Sequence, residues 1–110
     1  MATLFRNVLR TGIGTTETLI LTTSSNAHST VIGCSLTNTT EGIILASFRL
    51  VDTISSTSAY FIKNVIVPPN QSLRIVNGGE KLVLGPLTEI YINASIDDSL
   101  DLVMSYIDVI

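Results

Sequence analysis

A chain of 110 residues has the length of one domain, and with 45% hydrophobic residues it is not a disordered segment. Only 14% of the residues are charged, the net charge is -3, and the six Lys and Arg are scattered. That excludes a binder of nucleic-acid backbone, which needs clustered positive charge, and no apolar run approaches the roughly 18 residues of a membrane helix.

In chain order, "TLFRNVLRT" (Thr3–Thr11) reads as a first strand or a docking arm, because Leu4, Phe5, Val8 and Leu9 also fit a helical spacing. Residues 1–13 are therefore set apart from a single sandwich domain over residues 14–110. "ETLILTT" (Glu17–Thr23) is a strand. Ser29–Asn38 and Gly42–Asp52 form a pair across the polar link "TTEG". In this pair Ile32, Cys34 and Leu36 are two apart, as are Ile44, Ala46, Phe48 and Leu50, which is strand periodicity. Thr57–Val67 follows, ended by Pro68 and Pro69, which cannot continue a central ladder. Ser72–Gly79 and Glu80–Gly85 flank a turn at Asn77, Gly78 and Gly79 that calls for positive φ. Leu87–Ser95 and Ser99–Ile110 close the chain around "IDD".

β-Branched residues are abundant, and no stretch joins a cap to a 3.6-residue period. About eight short strands at this spacing predict an all-β antiparallel sandwich of jelly-roll type. The expected core is Leu19, Leu21, Ile32, Cys34, Leu36, Ile44, Ala46, Phe48, Leu50, Tyr60, Ile62, Leu73, Ile75, Leu82, Leu84, Ile90, Ile92, Leu102, Met104 and Tyr106. The opposite faces are apolar too: Ile43, Leu45 and Val51 in one strand, Val103, Ile107 and Val109 in the last. Exposed apolar surface and uncovered edge strands mark contact sites. Phe5, Leu9, Phe61, Ile43, Leu45, Val103, Ile107 and Val109 are the interface candidates.

Catalytic groups are scarce. His28 is the sole histidine, it lies in a polar stretch, and no nucleophile-elbow sequence surrounds any serine. Cys34, the sole cysteine, sits inside an apolar run and reads as a buried, inert thiol; it allows no intrachain disulfide. One His and one Cys do not make a zinc site. Asp97, Asp98 and Asp101 lie in a short loop whose spacing is not that of a helix–loop–helix calcium site, so they read as a solvated turn. Nothing places Glu17, Glu80 or Glu89 beside an aspartate as a glycosidase pair, and "GGEKLVLG" lacks phosphate-loop spacing. The triplets at Asn38, Asn70 and Asn93 carry meaning only in a secreted chain, and the N-terminus shows no signal segment. The expectation is therefore no enzyme, no metal and no cofactor.

The succession "TVIGCSLTNTT", "AYFIKNVIVPPNQSL", "GGEKLVLGPL" and "LDLVMSYIDVI" resembles a group of small structural proteins of tailed bacteriophages. In these, strands of the type "IGLxxANT" and "AYIVKDxxVPxGSSL" precede a "GGKLVL" turn and a closing "SYLEI" strand. The likeness runs from Thr30 to the end; "VPPNQS" and "GPLTEIYI" depart from the glycine-bearing turns of the pattern. The resemblance implies a β-sandwich virion component of the neck, tail or fibre-attachment region, made in the host cytoplasm and assembled as a symmetric oligomer. Its implied partners are further copies of itself and adjacent virion proteins, with no nucleic acid and no membrane. A second reading, a carbohydrate- or receptor-binding module, needs an exposed aromatic pair or a cation in the loops, for instance Tyr91 near Asp97 and Asp98.

Overall fold

The computed structural model describes residues 2–77 and 79–110. These form nine strands: β1 (Thr3–Ile13), β2 (Thr18–Thr22), β3 (His28–Asn38), β4 (Ile44–Asp52), β5 (Thr57–Val67), β6 (Ser72–Val76), β7 (Leu82–Leu84), β8 (Thr88–Ala94) and β9 (Leu100–Val109). All pairings are antiparallel. One sheet has the order β1-β9-β3-β6, with β7 also on β3; the other has the order β2-β8-β4-β5. Because β3 gives the same edge first to β7 and then to β6, those two act as one strand interrupted between Val76 and Leu82. The facing sheets are thus each four strands wide, in jelly-roll order.

Side chains alternate between the sandwich interior and its outer faces. In β9, Leu100, Leu102, Met104 and Tyr106 turn inward, and in β8 Ile90, Ile92 and Ala94 do so. They meet Leu36, Ile44, Ala46 and Phe48 to make one continuous core. Cys34 and Leu84 are buried with them, as their spacing predicts. Leu21, Leu50, Ile62, Leu73, Ile75 and Leu82 pack partly buried at its margin.

Three expected core residues face outward instead, and ladder irregularities are the cause. The β3–β9 register slips between Val31 and Gly33. Val31 is consequently buried, and half-buried Ile32 lies outside. A slip between Leu19 and Leu21 on β8 buries Ile20 and exposes Leu19. Strand β5 slips twice against β4, around Phe48, and Tyr60 is exposed. Asn64 has φ 51° there, a conformation asparagine tolerates, and its N–H donates to Ser47 Oγ at 3.0 Å. Each bulge shifts the inside–outside phase by one residue.

The turns carry the sequence departures noted above. Asn70 adopts φ 55° in place of a glycine, and Leu87 does the same at φ 52°, where a bulky residue is strained. The Leu87 carbonyl accepts from Thr53 Oγ1 at 2.6 Å and Thr53 N at 3.2 Å. Gly78, in the expected Asn77–Gly79 turn, lies outside the described residues; Gly79 N donates to Asn77 Oδ1 at 3.0 Å. The chain ends meet, Ala2 and Ile110 exchanging hydrogen bonds of 2.8 and 2.9 Å.

Candidate assembly surfaces

The polar residues of the chain are mostly engaged in holding the fold. Ser29 Oγ donates to Asp108 Oδ1 at 2.5 Å, and Asp108 Oδ2 accepts from Arg6 Nε at 3.1 Å. The buried serine is thus bonded to a carboxylate, while the neighbouring His28 is exposed. Burial pushes the Cys34 thiol up to about 12, whereas a nucleophilic cysteine needs the opposite shift. Asp97 accepts from Thr15 N at 2.9 Å and Thr15 Oγ1 at 2.7 Å, which holds its carboxyl below the usual carboxylate value. Asp101 accepts from Thr11 Oγ1 at 2.9 Å and Gly12 N at 3.1 Å. A Cβ on Gly12 would lie 2.6 Å from Asp98 Oδ1. Asp97 and Asp101 therefore clamp the β1–β2 corner, and Asp98 lies close against Gly12. Among the described residues no three His, Cys, Asp or Glu are grouped so as to hold a metal ion.

The outer face of the β1-β9-β3-β6 sheet is different in character. Register places Val83, Thr30, Ile107 and Phe5 in one row across β7, β3, β9 and β1. Arg74, Ser35, Val103 and Leu9 form a second row. Between them run Gly33, Ser105 and Asn7, with Ile32 beside them at its bulge. Phe5 is 78% exposed, Val83 74%, Leu9 60% and Val103 52%. Ile107 is half-buried, as is Val109, which stands opposite Thr3 and His28 at the end of the sheet. Arg74 is the one charged side chain in either row.

The outer face of the second sheet is built around Arg49. Leu19, Tyr91, Arg49 and Tyr60 form a row across β2, β8, β4 and β5. Arg49 Nε and Nη2 donate to the two oxygens of Glu17 at 2.8 and 2.7 Å, and Nη1 donates to Ser58 Oγ at 2.8 Å. The guanidinium also lies 4.8 Å from the Tyr91 ring centre, and Lys63 Nζ lies 5.0 Å from that of Tyr60. The hydrogen bond from Arg49 holds the Glu17 carboxyl below its usual value. Tyr91 turns to Arg49 and Glu89, its hydroxyl donating to Glu89 Oε1 at 3.2 Å. Asp97 is held at Thr15, beyond the end of β8.

The eight interface candidates fall in three places. Phe5, Leu9, Val103, Ile107 and Val109 share the apolar outer face of the first sheet. Half-buried Leu45 stands opposite exposed Ile66, and exposed Ile43 precedes it by two residues, making a smaller patch at one end of the second sheet. Phe61, on strand β5, is 37% exposed and meets Phe48 edge-on at 5.9 Å between centroids. Sequence reasoning missed Ile32, Val83 and Ile66 as surface residues. For Val83 and Ile66 the signal was present, since each alternates with an inward neighbour. For Ile32 there was none without the bulge.

No family model and no curated protein matches this chain. Solved structures do. A chain of the infectious bursal disease virus particle aligns with a TM-score of 0.58 at 8% identity, covering 97% of this chain. The present chain spans only 31% of that viral chain. The VP2 protein of the same virus aligns with a TM-score of 0.57 at 7% identity, covering 96% of this chain and 31% of that one. A subunit of Bacillus endospore appendages, described as disulfide-linked pili, aligns with a TM-score of 0.55 at 12% identity, over 96% of this chain and 86% of that one. At such identities the likeness establishes a shared sandwich fold.

Proposed function

We propose that the chain is a non-enzymatic building block of a particle, which works by burying its apolar outer face against further copies of itself and neighbouring proteins. The observation that carries this is the pair of rows on the first sheet, which hold Phe5, Leu9, Val83, Val103 and Ile107 and, of their eight residues, one charged, Arg74. Surfaces of this kind mark contact sites on soluble domains. The proteins of like fold come from a virus particle and from pili, both repeated assemblies. The likeness of residues 30–110 to tailed-phage structural proteins supports the finer placement: a virion, at its neck, tail or fibre attachment, as a symmetric oligomer.

The alternative, a carbohydrate- or receptor-binding module, would stack a sugar on Tyr60 or Tyr91. Lys63 and Arg49 already lie over those rings, so the geometry favours assembly.

Light scattering on the purified protein tests this. The wild type is expected as an oligomer, and Val103→Asp is expected to keep its β-sheet circular dichroism and melting temperature while dropping to a smaller mass. A wild type of single-chain mass at high micromolar concentration, or an unchanged mass in the variant, would overturn it.

A further inference from the structure

The first sheet has one edge, strand β1, that is long and regular over most of its length. Exposed edge strands are normally protected by brevity, bulges, proline or charged side chains. Strand β2 is five residues long and slips in register. Strand β5 slips twice and carries Lys63. The β6–β7 edge is interrupted. Strand β1 is 11 residues long and keeps an unbroken register on β9 from Thr3 to Arg10, with no Pro; its charges are Arg6, paired with Asp108, and Arg10, and its bulge falls beyond Arg10.

The hydrogen-bond phase of β1 follows from its end. Ala2 exchanges both of its bonds with Ile110. In an antiparallel ladder such pairs alternate, so Leu4, Arg6, Val8 and Arg10 turn their backbone groups toward β9. Thr3, Phe5, Asn7 and Leu9 turn theirs toward the open edge. One of these groups is engaged: the Leu9 carbonyl accepts from Arg10 Nη1 at 3.0 Å. A carbonyl has a second lone pair to offer.

We propose that β1 pairs antiparallel with β1 of a second copy about a two-fold axis at Asn7, joining the two first sheets into one. This rests on the reading of the chain as a self-assembling protein and names the edge it uses. In this register Asn7 faces Asn7 of the second copy, Phe5 faces Leu9, and Thr3 faces Thr11. On the inner side Arg6 faces Val8 and Arg10 faces Leu4. The neighbouring symmetric registers are worse. An axis at Arg6 sets Arg6 against itself, and an axis at Val8 sets Arg6 against Arg10; like charges directly opposite oppose pairing. Larger slips shorten the ladder. The Asn7 axis also brings the first row of one copy, ending in Ile107 and Phe5, against Leu9 and Val103 of the other. The two apolar patches become one.

Asn7→Pro tests the edge. It deletes an N–H that faces outward and none that bonds to β9. The variant is expected to keep its β-sheet spectrum and melting temperature while self-association weakens at least tenfold in sedimentation. Asn7→Cys gives an independent reading. Facing residues of a hydrogen-bonded pair are about 5.5 Å apart at Cα, within disulfide range, so oxidation is expected to yield a covalent dimer. If Asn7→Pro leaves the mass of a folded oligomer unchanged, or Asn7→Cys stays uncrosslinked in it, the edge is wrong and self-assembly stands. If the wild type never associates, both fall.

Discussion

Asn38 is fully buried, yet every polar atom of its side chain is used. Its amide nitrogen reaches the carbonyls of Gly42, Val67 and Pro68 at 2.8, 3.0 and 3.2 Å. Its oxygen accepts from Thr40 N at 2.9 Å and Thr40 Oγ1 at 2.7 Å. One side chain thereby ties the end of β3 to the loop before β4 and to the end of β5. In the folded chain the asparagine of this triplet is therefore a fold element. Replacing it by alanine strands several acceptors in a dry site, at about 1–3 kcal/mol for each group left unpaired. Asn38→Ala is expected to lose about 2–4 kcal/mol in urea unfolding, a large share of the stability of a small domain; a loss below about 1 kcal/mol would mean that water replaces the amide there.

At the scale of strands, alternation was legible wherever the ladder is regular. In β8 and β9, period two assigned Ile90, Ile92, Leu102, Met104 and Tyr106 to the interior, and they are there. In β2, β3 and β5 the same rule misassigned Leu19, Ile32 and Tyr60, because a bulge is a relation between two strands and leaves little trace in one. "VIGC" in β3 shows the difficulty. Val31 and Ile32 are equal candidates for burial until Gly33 resumes the pairing one residue late. The outward positions of β1 and β9 follow the alternation for the converse reason, since their ladder runs without a break from Thr3 to Arg10. The bulge makes a sharp expectation about adjacent residues. Val31→Asp sets an unpaired charge in the core, costing more than a small domain can spare, and is expected to prevent folding. Ile32→Asp places the same charge on the outer face and is expected to keep the cooperative unfolding transition, with stability changed by about 1 kcal/mol or less. Equal loss in both, read from thermal melts, would place Ile32 inside.

As a whole, the molecule presents two unlike faces. The second sheet satisfies its charge internally, with Glu17 held by Arg49, and its tyrosines capped by cations. The first sheet offers apolar rows and an open strand edge, and its ion pair of Arg6 with Asp108 is closed within the chain. Which face is the more apolar could not be read from composition, because both sheets carry apolar residues on their outer positions; it depends on which charges the fold neutralises at home. The consequence is a specific salt response. An assembly driven by charge weakens as the Debye length falls from roughly 10 Å at about 0.1 M salt to roughly 3 Å at about 1 M. Burial of Phe5, Leu9, Val103 and Ile107 with backbone pairing draws on no charge attraction, screening only eases repulsion between the arginines of the two β1 strands, and an excluded salt such as sulfate strengthens apolar burial. The oligomer is therefore expected to keep its sedimentation coefficient across that range of sodium chloride and to tighten in sodium sulfate. Dissociation at high chloride would show that exposed charges, and not the apolar face of the first sheet, hold the copies together.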